Sequence, residues 1–242
     1  MDAAELLLNG LERAGLSDSV ARARAAALFD IYLDEIVLFS KTLNIASGLG
    51  REEIIMRHIF DSIAPFARIE ELAEISREKR AHISGAADDA AVIADIGSGA
   101  GFPGIPLAVC ASVTQKKTRV VLIERGKKKC AFLENCAALM HLSCVSVENV
   151  DIERAQKNRF DVCVFRSFHP LDEKLVRLIF GLTVSGGFIA AYKARLENIE
   201  RELRGIESAA RCWRVEKLRV PFLEDHERHL VIMEAGHDNL QR

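Results

Sequence analysis

The chain has 242 residues, 49% hydrophobic and 28% charged, with a formal net charge of −2. That length suits one large α/β domain, or one domain with an appendage, and the apolar fraction supports a sizeable core. No stretch is as long and apolar as a membrane-spanning helix requires, Met1-Asp2-Ala3-Ala4-Glu5 lacks the basic start of a signal peptide, and the near-neutral charge does not announce a nucleic-acid binder.

Taken in order, residues 2–14 are expected to form a short helix, with Leu6, Leu7, Leu8 and Leu11 clustered and Gly10 or Gly15 able to end it. Ser17 or Asp18 can cap a second helix that runs to about Leu43, on which Leu28, Ile31, Tyr32, Glu35 and Phe39 show helical spacing. After the loop at Asn44-Ile45-Ala46-Ser47-Gly48, a third helix is expected over 51–63 with Ile54, Ile55, Ile59 and Ile63 inward. A fourth, highly charged helix covers 66–79, and 84–90 is a small polar linker. Residues 1–90 therefore read as an N-terminal helical region and 91–242 as a second domain.

From 92 onward strands alternate with helices: strands at 92–95, 119–123, 144–147, 161–165 and 187–192, helices near 104–111, 127–140, 152–157 and 171–182. Such alternation means a mostly parallel sheet covered by helices. Residues 213–220 and 229–235 both read as strands, and the short connection between them cannot hold a helical crossover, so the last strand is expected to run antiparallel near the sheet edge.

The stretch from Val92 to Val109 passes from a buried strand through Gly97, Gly99, Gly101 and Gly104 into a helix start. Glycines let the backbone take positive φ and let a ligand approach the main chain, and a helix N-terminus adds unpaired N–H groups. Two registers fit. Gly99-x-Gly101-x-x-Gly104 matches the dinucleotide pattern, but Gly99 falls late after the strand and Pro103 and Pro106 lie where that helix should already be running. Gly97-x-Gly99-x-Gly101 matches the loop of S-adenosylmethionine methyltransferases, and an acid closing the strand, Asp95, suits that register, near the amino-acid end of the cofactor.

Several residues beyond the loop can carry chemistry. Glu124 ends the second strand, where an acid accepts hydrogen bonds from a ribose, or pairs with a neighbouring lysine. Asp151-Ile152-Glu153 follows the third strand and either flanks an adenine or simply starts a helix. Arg166 follows the fourth strand and is placed to hold the cofactor or an RNA phosphate, while Phe168 either stacks on a base or is buried. On the third helix Arg57, His58 and Asp61 share a neighbourhood; a His–Asp pair alone is too few ligands for a metal and is commonly a structural hydrogen bond. Residues 116–129 hold Lys116, Lys117, Arg119, Arg125, Lys127, Lys128 and Lys129 against the single acid Glu124, forming either a solvated face or, with Arg166 and Arg228, an RNA-facing surface. The cysteines show no CxxC spacing, which reads as a reducing cytoplasm with neither disulfide nor zinc.

Four blocks together resemble the bacterial 16S ribosomal RNA guanine-N7 methyltransferase family, also called glucose-inhibited division protein B or methyltransferase G. They are Asn44-Ile45 with Arg57-His58-Ile59-Phe60-Asp61-Ser62, the run Asp95 to Pro106, Arg166-Ser167-Phe168 with Leu171-Asp172, and Glu227-Arg228-His229-Leu230. The resemblance implies the class I S-adenosylmethionine-dependent, Rossmann-like methyltransferase fold, with the cofactor contacted by Gly97, Phe102, Ile152, Glu153 and Arg166, an acid at Glu124 and a family-type lysine at Lys193. It implies 16S rRNA or the small ribosomal subunit as partner, and no metal or membrane. Two departures stand out: Lys193-Ala194 replaces the usual Lys-Gly, and the segment 76–91 is longer than in typical members. Guanine N7 carries no proton, so no acid or base catalyst is expected. The alternatives are a methyltransferase for a small molecule or protein, and a non-catalytic cofactor-binding ribosome factor.

Overall fold

The computed structural model describes residues 1–46, 48–84, 90–166, 170–210 and 212–235. Helix α1, Ala3–Arg13, is capped by Asp2, whose carboxylate accepts from Glu5 N, and α2, Ser19–Leu43, is capped in the same way by Asp18. Asn44 in the left-handed conformation, φ 52°, ends α2. The predicted third helix is continuous over its expected span but not regular: α3, Arg51–Ile54, passes into a π-helical turn, Ile55–Phe60, and then into α4, Asp61–Ile63. Helix α5, Phe66–Ser84, runs beyond its expected end at 79. The rest of the anticipated linker, 85–89, lies outside the described residues.

Seven strands form one sheet in the order β3-β2-β1-β4-β5-β7-β6. They are β1 (Ala91–Ile96), β2 (Thr118–Glu124), β3 (Val145–Asn149), β4 (Phe160–Arg166), β5 (Thr183–Lys193), β6 (Trp213–Lys217) and β7 (His229–Glu234). Strands β1 to β5 pair in parallel, and β7 runs antiparallel to both its neighbours, β5 and β6, as the short tail connection required. Helices α6 (Gly104–Val113), α7 (Lys127–Leu139), α8 (Glu173–Phe180) and α9 (Leu196–Arg204) fill the crossovers.

Two details depart from expectation. The helix foreseen over 152–157 is only a 3-10 turn, Ile152–Arg154, after which Ala155 turns extended. The segment lacks an apolar stripe that packing could hold. Helix α9 was not foreseen, although Leu196, Ile199 and Leu203 carry a helical period, and Ile199 and Leu203 are buried.

Helices α1, α2, α6 and α7 share one core with the face of the sheet bearing Val120 and Leu122, and α5 packs on the same face over Ile93, Val162 and Val164. The opposite face, bearing Val92, Ala94 and Val121, packs on α8 and α9. The fully buried Asp161 ties α5 to the sheet: it accepts from Ser76 Oγ at 3.0 Å, from Val92 N at 2.8 Å and from Arg80 Nη2 at 3.2 Å. No helix is long and apolar enough to cross a membrane, and no group of three metal-ligating side chains occurs, among the described residues. All six cysteines are free thiols.

Candidate active site

The glycine turn lies between the carboxyl ends of β1 and β2, where ligands bind in open α/β sheets. Gly97 N and Ser98 N both donate to Ile123 O, at 2.9 and 3.1 Å, and Gly101 N donates to Ser98 O, so the backbone is pinned to β2. Gly97, Gly99 and Gly101 all have positive φ. Their surroundings differ. A Cβ on Gly99 would meet only Gly97 O, at 3.7 Å, whereas one on Gly101 would come within 2.8 Å of Tyr32 Oη and 2.7 Å of Ile105. Gly99 therefore faces open space and Gly101 faces packed protein. Pro103 precedes α6 and Pro106 falls in its first turn, where proline is tolerated.

Asp95 is fully buried and lines neither cleft described below. Its Oδ2 accepts from Gly104 N at 2.9 Å, at the start of α6, and its Oδ1 has no hydrogen-bond partner among the described residues. Burial raises its carboxyl to about 7, against the opposing Gly104 N–H. It supports the turn from beneath, through the bond to Gly104 N.

Two clefts meet across the turn, both touching Gly97 and Gly99. The first, of about 680 Å³, is bounded by Glu124, Lys129, Ile152, Glu153 and Leu175. Glu124 is held by backbone: Oε2 accepts from Gly99 N at 3.0 Å and Oε1 from Gly126 N at 2.7 Å. It pairs with no lysine among the described residues. Asn149 Nδ2 donates to Glu124 O at 3.2 Å and Arg125 O at 3.0 Å, which fixes the strand end from the β3 side.

The second cleft, of about 500 Å³, is bounded by Arg57, His58, Phe102, Arg166, Lys193 and Arg228. His58 and Asp61 do not pair with each other; both hold Arg166. Arg166 Nη1 donates to Asp61 Oδ2 at 2.9 Å, and Nη2 lies 2.8 Å from His58 Nδ1. Arg166 Nη1 also reaches Arg57 O and His58 O, at 3.3 and 3.4 Å, carbonyls of the π turn. A π turn at such a site is a recurrent feature of functional helices. The other oxygen of Asp61 takes Arg228 Nε at 2.9 Å. His58 stacks on Phe102, ring centroids 4.9 Å apart, and Arg166 lies over the same ring at 5.1 Å. Burial first, then Arg166 and Arg57, lowers His58 to about 4. Its imidazole is neutral at physiological pH, with Nδ1 the acceptor from Arg166.

The expected residues thus gather at one end of the sheet, with exceptions. Lys193 lines the second cleft, but its ammonium bonds Glu202 Oε2 at 2.6 Å, on the unforeseen α9. Glu202 also accepts from Leu171 N at 2.9 Å. The carbonyl of Ala194, the departure from Lys-Gly, lies 2.6 Å from His229 Nδ1. Phe168 lies outside the described residues. The basic run 116–129 is split: Lys127, Lys128 and Lys129 open α7 beside the clefts, whereas Lys116, Lys117 and Arg119 lie at the opposite end of β2. Seven strand residues, Thr118–Glu124, hold them about 20 Å apart. The run is therefore not one contiguous cluster beside Arg166: only Lys127, Lys128 and Lys129 lie at the cleft end of the sheet. Tyr32, noted above only for its spacing, donates to Ala100 O at 2.5 Å and braces the turn. The clue was a phenol among the apolar residues of that helix, Leu28, Ile31 and Phe39.

A parallel sheet with β7 reversed, a glycine turn after β1 and an acid closing β2 define a class I methyltransferase. The comparisons with known proteins agree: the family model of rRNA small subunit methyltransferase G matches residues 25–231. The chain is 33% identical over 239 residues to the ribosomal RNA small subunit methyltransferase G of Treponema denticola, covering 95% of this chain and 93% of that one. Its counterpart in Treponema pallidum strain Nichols is 33% identical over 226 residues, 93% of this chain and 91% of that one. The Neisseria meningitidis protein of the same name is 30% identical over 203 residues, 84% and 86% respectively. The chain belongs to the rRNA small subunit methyltransferase G family.

Proposed function

We propose that this protein transfers a methyl group from S-adenosylmethionine to N7 of a guanosine in 16S rRNA, acting in the cytoplasm on the RNA or the small ribosomal subunit. The observation that carries the reading is the pair of clefts joined at Gly97 and Gly99, one floored by a backbone-held acid and the other lined by arginines. The first would hold the adenosine: Glu124 keeps lone pairs for the ribose hydroxyls, and Ile152 and Glu153 would flank the base. The open side of Gly99 fits close approach of a ligand, while Asp95 and Gly101 shape the turn without touching it. Residues 91–242 form the methyltransferase domain in this reading, and 1–90 supply His58 and Asp61 to its acceptor side.

When bound, the cofactor supplies an electrophilic sulfonium methyl. N7 presents an in-plane lone pair and no proton, so the protein need only orient the base. Holding two reactants in line is worth about 7–11 kcal/mol in favourable cases. His58, neutral and engaged by Arg166, positions and does not abstract. The methylated guanine is cationic, and bare arginines beside it would oppose the reaction. Asp61 reduces this opposition by pairing with both Arg166 and Arg228, so that the three groups together carry one net positive charge in place of two.

Transfer of labelled methyl to naked RNA, to small subunits and to protein tests the reading. Labelled small-subunit RNA that cleaves at the modified site after borohydride and aniline supports it; label in protein alone, or none anywhere, refutes it.

A further inference from the structure

The crossover from β3 to β4 has only its 3-10 turn, so the sheet face below the first cleft is not covered there by a helix. A groove of about 410 Å³ lies on it. Arg80, Arg119 and Arg159 line the groove, with Ser146, Gln156 and Asn158 between them, and no carboxylate does so among the described residues. Two of the arginines are paired with acids outside this lining. Asp161, fully buried, takes Arg80 and also Ser76 and Val92 N, and Glu148 takes Arg159 Nη1 at 2.5 Å. These pairs fix two guanidinium planes. A guanidinium has five N–H donors, and Glu148 accepts from Nη1 of Arg159. Arg119 is exposed, and its side chain makes no hydrogen bond or ion pair among the described residues.

Three arginines interleaved with neutral polar side chains, with no lining carboxylate among the described residues, suit a phosphate: guanidinium forks match its oxygens and are more easily desolvated than ammonium groups. We propose that this groove is a second anion site that binds a phosphate group. The first source is an RNA backbone phosphate, which rests on the function proposed above and would extend the footprint to the far end of β2. The other is a free phosphate or phosphorylated small molecule.

Arg119→Glu tests the site without breaking an internal pair, and Arg159→Ala serves as a second variant. For the full chain, the slope of log RNA affinity against log salt is measured, together with thermal protection by inorganic phosphate. A slope shallower by about 0.7–0.9, one contact's worth, with cofactor affinity unchanged, supports the RNA source. An unchanged slope with phosphate protection that is lost in Arg119→Glu supports the site with a free phosphate as ligand. An unchanged slope and no phosphate protection in the wild type overturn the proposal. If the wild type binds no RNA at all, the function proposed above fails, and the phosphate measurement alone decides this groove.

Discussion

The two clefts flanking the glycine turn are built on different principles. In the first, one carboxylate is oriented by main-chain N–H groups on either side of it, Gly99 and Gly126. In the second, the charged groups are oriented by each other: Asp61 joins Arg166 to Arg228, and His58 and Arg166 both lie against the Phe102 ring. A site held by backbone survives loss of a side chain locally. A site held by a half-buried ion network loses several groups when one is removed, because an unpaired buried charge is costly.

The largest expected effect separates the turn from its support. Gly99→Asp should abolish cofactor binding in a folded protein, since its side chain enters open cleft and Asp tolerates the left-handed region. Gly101→Asp should instead fail to fold, because its Cβ meets Ile105 and Tyr32. Calorimetry and circular dichroism on both variants decide this, and unchanged cofactor affinity in Gly99→Asp would remove the turn from the site. Next, Asp61→Ala should cost about 3–5 kcal/mol of stability by leaving two arginines without their carboxylate. RNA affinity should fall more than cofactor affinity. Equal losses for both ligands would mean that the clefts are not separable.

Glu124→Ala should weaken cofactor binding by about 1–3 kcal/mol, the scale of charge-assisted hydrogen bonds, with little effect on the single-turnover rate at saturating cofactor. A collapse of that rate would assign Glu124 another role.

The smallest effects are read against pH. His58 is depressed below its ordinary 6.5 to about 4, so its neutral form stabilises the fold, and that contribution is lost as pH falls from 6.5 through 4. Activity should show no limb near 6.5 that disappears in His58→Asn, and the imidazole should titrate near 4 by NMR. Asp95 has the opposite sign. Its pKa is raised from 3.8 to about 7, so the protonated form is favoured in the fold, and the associated stability is lost as pH rises through that window. Asp95→Asn should flatten the pH dependence of stability between 4 and 7 without moving cofactor affinity at pH 8 by more than a few-fold. A large loss of affinity would return Asp95 to the cleft.

The first cleft was the more legible in sequence. Its residues follow strand ends, so a strand reading places Gly97, Glu124 and Ile152 together through one topological rule. The second draws on positions 58, 61, 102, 166 and 228, which no local pattern joins. Motif resemblance marked these residues, and helical spacing read His58 and Asp61 as a pair, whereas both turn to Arg166.

By itself the sequence determined the alternation of strands and helices, the reversed last strand and the glycine turn. These follow from apolar period, from glycine's backbone freedom and from a connection too short to cross over. Tertiary structure alone decided that 152–157 forms a single turn, that α9 brings Glu202 to Lys193, and that the basic run is divided by the length of β2. It also decided that Asp95 and Gly101 lie beneath the turn while Gly99 faces the cleft. Period and composition show which residues can be buried or charged. Which charge meets which, and on which side of a turn space remains, depends on contacts between segments far apart in the chain.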